Sequence, residues 1–219
     1  MHVSVNAAVS VDGKLSSRRR EQIAISGEND FSRVDRLRAE VDAVAVGVGT
    51  VLADDPTLLR HDEAHRESVR GPDSTSPARI VVDSTCRTPP DASILSGTRD
   101  TYVLTSERAP ESRRAALQDA GATLIVSGAE RVNLPEAFAA LESHGVERLL
   151  VEGGGELIFS LFEAELVDEL TVYVGSVVIG GRDAPTLADG DGFVANFPEL
   201  ELSDTERIDS GVVLSWNVR

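Results

Sequence analysis

The chain has 219 residues and is 41% hydrophobic, enough to bury a good core as one α/β domain or two small ones and unlike a disordered chain. It carries 37 acidic against 21 basic residues, a net charge of −16, and Lys14 is the only lysine. That balance argues against general nucleic-acid binding, which needs Lys and Arg against phosphates. Cys86 is the only cysteine, so an internal disulfide is excluded, and no Cys/His cluster has zinc spacing, so no metal is expected. No stretch approaches about 18 uninterrupted apolar residues, the length of a membrane span. The opening MHVSVNAAVSVDG lacks the basic start and long apolar core of a signal peptide. A cytoplasmic protein is expected.

His2 to Val11 alternates loosely and reads as a first strand, with Val3, Val5, Ala7, Val9 and Val11 on one face. Asn6, Ser10 and Asp12 share the other face, which is either site lining or the wet side of an edge strand. Asp12-Gly13 is a turn signal. Phe31 to Glu40 has helical spacing at Phe31, Val34 and Leu37, with Asp30 as N-cap. Val41 to Val48 reads as a buried strand that runs into Gly47 and Gly49. Thr50 falls at a helix N-cap, and Asp54, Asp55 and Pro56 close the segment. A strand that ends in glycines at a helix start lets backbone approach a phosphate; the same spacing also suits a junction that binds nothing.

His61 to Pro77 reads as a flexible loop. Arg79 to Asp83, Thr101 to Thr105, Ala122 to Val126 and Arg148 to Val151 read as strands, with helices at Pro110 to Ala120 and Leu134 to Ser143. The last of those strands enters Glu152-Gly153-Gly154-Gly155-Glu156, a second phosphate-cradling junction, before a helix over Leu157 to Leu166. Asp168 to Val174 and Val177 to Ile179 read as strands, and Leu200 to Arg207 with Val212 to Val218 as an antiparallel pair. The alternation predicts an α/β fold with a mostly parallel sheet covered on both faces. Neither glycine junction fits GxGxxG, so the standard dinucleotide fingerprint is absent.

Five blocks in order, NAAVSVDGKLS (Asn6–Ser16), LRAEVDAVAVGVGTVLADDPTL (Leu37–Leu58), RIVVDSTCRTP (Arg79–Pro89), LLVEGGGELIFSLFEAELVDELTVYV (Leu149–Val174) and GGRDAPTL (Gly180–Leu187), resemble the reductase of riboflavin biosynthesis. That family has a dihydrofolate-reductase-like fold. The resemblance covers nearly the whole chain and implies a single reductase domain over residues 1–219. It implies hydride transfer from NADPH, with NADH the alternative, to C1′ of a ribosylamino-pyrimidine phosphate, so that the ribose becomes a ribityl chain. The zinc-deaminase elements of the bifunctional form are missing. The chain resembles the stand-alone archaeal and fungal reductases, which act on 2,5-diamino-6-ribosylamino-4(3H)-pyrimidinone 5′-phosphate and are homodimers. Its acidic, lysine-poor composition fits a halophilic archaeon.

The resemblance also implies site residues. Thr50 and Asp54 match cofactor contacts, and Gly153, Gly154, Gly155 and Glu156 match the junction on the cofactor diphosphate. Ala8, Ser84 and Val126 lie at strand ends that resemble further cofactor contacts. Asn29, Arg38, Leu58 and Glu152 match substrate positions, with Arg38 suited to the 5′-phosphate. Arg60 is a second phosphate partner, although the family usually has one more residue between the leucine and that arginine; Arg66 or Arg70 is the alternative. Glu152, Asp12 or water is expected to move the proton of sugar ring opening, with Glu152 placed first. A dihydrofolate reductase proper and a non-catalytic nucleotide-binding protein are the alternative readings.

Overall fold

The computed structural model describes residues 1–21 and 23–219. In chain order the elements are β1 (His2–Ser10), α1 (Glu28–Glu40), β2 (Ala43–Gly47), α2 (Val48–Asp54), α3 (Glu63–Arg70), β3 (Ala78–Val82), a 3₁₀ turn (Ser93–Leu95), β4 (Thr101–Thr105), α4 (Glu111–Asp119), β5 (Thr123–Val126), α5 (Leu134–Ser143), β6 (Arg148–Val151), α6 (Gly155–Glu163), β7 (Glu169–Gly175), β8 (Leu200–Ile208) and β9 (Gly211–Val218). The nine strands form one sheet in the order β5-β4-β3-β2-β6-β1-β7-β9-β8. The seven strands from β5 to β7 are parallel, and β9 and β8 close the sheet antiparallel.

Both faces of the parallel part are buried, which is why its strands are nearly all apolar. In β2, Ala43 and Ala45 join a core with Val3, Val5 and Val151, under Phe138 and Leu141 of α5 and Ile158 and Leu161 of α6. Val44 and Val46 join the opposite core with Val81, Val103 and Leu150, under Val51 of α2 and Leu117 of α4. Leu37 of α1 packs on this second face.

The structure corrects several local expectations. β1 lies between β6 and β7, so it is no edge strand, and Asn6 and Ser10 are buried. The N-cap of α1 is Gly27, with no capping side chain of its own. Asp209, in the β8–β9 turn, caps the helix from a distance: its Oδ2 accepts from Asp30 N at 3.1 Å and its Oδ1 from Asn29 Nδ2 at 2.7 Å. Phe31 is 49% exposed, and the buried positions of α1 are Asp30, Asp35 and Ala39. Ion pairs outweighed the apolar spacing: Arg33 bonds both Asp30 and Asn6 Oδ1, each at 2.9 Å.

The segment expected as a loop contains α3. It starts at Asp62, whose side chain accepts from His65 N at 2.9 Å. Its one buried residue is Arg66, which donates to the Ala39, Val41 and Thr75 carbonyls. A cation on the last carbonyls of α1 is a favourable helix C-cap. Helix α6 begins at Gly155, two residues earlier than expected. Val177–Ile179 is not a strand; Asp12 holds this segment, accepting from Ile179 N at 3.0 Å and Gly180 N at 2.7 Å. No helix among the described residues is long and apolar enough to cross a membrane.

Candidate active site

The two glycine junctions meet. Because β2 pairs directly with β6, their carboxyl ends lie side by side, where ligands bind in open α/β sheets. Glu152 N donates to Ala45 O at 2.9 Å, and Gly47 N donates to Gly153 O at 2.8 Å. The Gly153–Gly154 peptide is cis. A Cβ on Gly47 would lie 3.5 Å from Leu157 Cβ, and one on Gly154 would lie 3.4 Å from Thr50 Oγ1. Thr50 is the third residue of α2 rather than its N-cap, which is Gly47. Its hydroxyl therefore faces the second junction. Asp54 follows one turn later. It faces solvent, yet desolvation by the surrounding protein pushes its pKa up. The neighbouring Asp55 is structural: its carboxylate takes Ser93 N and Ser93 Oγ, both at 2.7 Å, and this lowers its pKa.

This seam fits a nicotinamide dinucleotide. A Cβ at Gly49 or Gly153 would meet nothing within 4 Å, so backbone faces open space there. Gly153 has φ +117, which a side chain would strain. No side chain caps the N-terminus of α6, leaving free N–H groups and the positive end of the helix dipole for a diphosphate. On the other side, a Cβ on Gly155 would lie 2.3 Å from Thr186 O. Asp189 N donates to Gly155 O at 3.0 Å, and Asp189 Oδ1 accepts from Thr186 N at 3.0 Å. Residues 186–189 thus wall the cradle.

Beside the seam lies a four-charge cluster. Arg38 of α1 forks onto Glu152, with Nε to Oε1 at 2.6 Å and Nη2 to Oε2 at 2.7 Å. Arg38 Nη1 donates to Arg60 O at 3.1 Å. Asp35 lies 3.8 Å from Arg38 Nη1 and 2.6 Å from Arg60 Nε. The Arg38 and Glu152 side chains are only 17% and 12% exposed. Burial by itself lowers the Arg38 pKa, but the Glu152 hydrogen bonds and charge, with the charge of Asp35, outweigh it and raise the pKa. Leu58, two residues before Arg60, is buried in the second core at φ +49.

The remaining expected residues make the following contacts. Asp12 clamps the loop after β7; Ser10 Oγ also donates to it at 2.6 Å. These bonds, led by the Ser10 one, lower its pKa to about 2, so at neutral pH it has no proton to give and is a poor base. Asn29 is bound to Asp209. Ser84 Oγ accepts from Val132 N at 3.1 Å, Val126 ends β5 with its side chain partly exposed, Glu156 is exposed in the first turn of α6, and Ala8 is half-buried beside the Tyr173 cluster.

Arg66 and Arg70, the alternatives to Arg60, lie apart from the charged cluster and have other partners. Both line a polar cavity of about 320 Å³ with Asp42, Tyr102 and His144, at the amino ends of the strands and away from the seam. Arg66 caps α1, and Arg70 pairs with Asp42. Sequence reasoning missed Asp35, Asp209 and Asp189. Asp35 alone carried a local signal, being one helical turn before Arg38.

A nine-stranded, mostly parallel sheet with a glycine seam and a charged cluster at its carboxyl edge defines a small-molecule enzyme of dihydrofolate-reductase-like fold. Residues 1–214 match the family model described as RibD C-terminal domain; the chain belongs to that family and is an oxidoreductase. It is 44% identical over 215 residues, 98% of this chain and 96% of the relative, to the 2,5-diamino-6-ribosylamino-4(3H)-pyrimidinone 5′-phosphate reductase of Archaeoglobus fulgidus. It is 39% identical over 220 residues, 100% of this chain and 98% of the relative, to the protein of the same name from Methanothermobacter thermautotrophicus. Among solved structures, RibD of Acinetobacter baumannii matches with TM-score 0.80 at 23% identity, over 100% of this chain and 58% of that one. That likeness shows the shared fold.

Proposed function

We propose that this chain is a single reductase domain that uses NADPH, with NADH the alternative, to reduce the ribosyl group of 2,5-diamino-6-ribosylamino-4(3H)-pyrimidinone 5′-phosphate to a ribityl group in riboflavin biosynthesis. One observation carries this reading: Glu152, held by Arg38, is followed directly by the open glycine cradle. A single strand end therefore joins a cofactor seat to a polar substrate seat.

When bound, a nicotinamide would supply a hydride for C1′ of the ring-opened, imine form of the substrate. The protein's part is positioning. The uncapped α6 N-terminus and Gly153–Gly155 would hold the diphosphate, and Thr50 and Asp54 would contact the cofactor from α2. Glu152, its carboxylate turned by the Arg38 fork, is placed to accept hydrogen bonds from the sugar and to take the proton of ring opening. Asp12 has no part in that transfer. Exposed Leu200 and Leu202 on the edge strand β8, with exposed Val194 and Phe197 in the segment that precedes it in the chain, support a homodimer, which light scattering tests.

The functional test is an NADPH-oxidation assay with mass-spectrometric analysis of the product. The expected result is a mass gain of two hydrogens on the ribosylamino-pyrimidine before deamination. Oxidation with dihydrofolate alone overturns the reading, and so does tight NADPH binding without turnover.

A further inference from the structure

The charged cluster holds two arginines, and they differ in which donors remain open. Arg38 has its Nε–Nη2 edge on Glu152 and its Nη1 on Arg60 O. Arg60 is anchored only through Nε, 2.6 Å from Asp35 Oδ2; its side chain is 71% exposed. Among the described residues, neither Nη of Arg60 has a hydrogen-bond partner. An anionic group entering the cluster therefore meets Arg60 as the open fork, while Arg38 would first have to release Glu152.

Arg60 needs to be held there. Its segment leaves the seam through Leu58 in the left-handed region, and a free arginine side chain loses considerable rotamer entropy when a ligand orders it. Asp35 is buried on α1 and fixed by its helix. Its backbone carbonyl accepts from Asp62 N at 3.0 Å, which ties α1 to the chain just beyond Arg60. Asp35 thus grips one edge of the guanidinium and leaves the phosphate-matching edge free.

We propose that Asp35 is a positioning residue that pre-orients Arg60 for the phosphate of the substrate. This rests on the function proposed above. It also accounts for a short spacing: with Leu58 and Arg60 separated by one residue, the arginine is brought into place by Asp35 and by the turn at Leu58.

The test is calorimetric binding of ribose 5-phosphate, alongside turnover of the phosphorylated pyrimidine. Asp35→Asn keeps the shape and removes the charge. It should weaken ribose 5-phosphate binding about fivefold and raise substrate KM by a similar factor, with kcat within about twofold and NADPH affinity unchanged. Asp35→Glu should restore part of the loss. Arg60→Ala should lose at least as much, and adding Asp35→Asn to it should cost nothing further. Unchanged or tighter binding in Asp35→Asn overturns the proposal, the second because Asp35 would then be a competitor of the phosphate. Additive losses in the double variant overturn it too. A wild type that binds ribose 5-phosphate but leaves the pyrimidine unreduced overturns the proposed function alone; one that does not bind it overturns the role of Asp35.

Discussion

The glycine seam and the charged cluster adjoin each other, yet they are built from different materials. The seam is backbone: Gly47, Gly153, Gly154 and Gly155 come from two strand–helix junctions, and its contacts are main-chain bonds such as Gly47 N to Gly153 O. The cluster is side chains from three segments, with Asp35 and Arg38 on α1, Arg60 after α2 and Glu152 after β6. Steric space decides whether the seam survives a substitution. In the cluster, what matters is whether a buried charge keeps its partner.

The largest contrast comes from the cluster. Arg38→Ala strands the Glu152 carboxylate and should destabilise the protein by about 3 kcal/mol, measured by urea unfolding. Converting both partners to apolar residues (Arg38→Met with Glu152→Leu) should recover much of that loss. A double variant less stable than the single one would mean that packing, not charge, holds the site.

Next comes the seam. Gly155→Ala drives a Cβ to 2.3 Å from Thr186 O and should cost about 2 kcal/mol. Gly47→Ala makes an ordinary 3.5 Å contact and should cost less than about 1 kcal/mol. Equal losses from the two would contradict the close packing of residues 186–189 on α6.

Smaller effects separate cofactor from substrate. Thr50→Ala and Asp54→Ala should each weaken NADPH about fivefold, equivalent to about 1 kcal/mol, with folding stability little changed. Fluorescence titration reads this, and unchanged affinity in both variants would remove α2 from the cofactor site.

Asp12→Asn should have the smallest effect, and that effect should depend on pH. The folded pKa of Asp12 is depressed from 3.8 to about 2. Its contribution to stability is therefore complete above about pH 4 and is lost as pH falls toward 2. The Tm gap between wild type and variant should close over that range, and a gap that stays constant would argue against the loop clamp.

How much was legible follows the same division. Glycines after apolar runs announce a seam, because only a residue without Cβ allows such close approach. That reading located both junctions, though it placed Thr50 at the cap instead of the third helical position. Arg38 and Glu152 were identified by family resemblance, but nothing local shows that they bind one another across 114 residues. Helix α1 misled for a related reason: its apolar stripe suggested that Phe31 faces inward, whereas Asp30 and Asp35 are buried beside Ala39 because arginines meet the two carboxylates there. Helix α3 was missed because its one buried side chain is Arg66, and an arginine that serves carbonyl oxygens looks like a solvated one in sequence.

The sequence by itself determined the local periodicities: the parallel strands, the α/β class, the antiparallel close and the two glycine junctions. Each is read from patterns among near neighbours in the chain. Only the tertiary structure decided that β1 is central, that the two junctions form one seam, and that Arg60 is held open while Arg38 is engaged. Those outcomes depend on which distant charges and backbones come within about 3 Å of each other, where hydrogen bonds and ion pairs are strong enough to choose among arrangements.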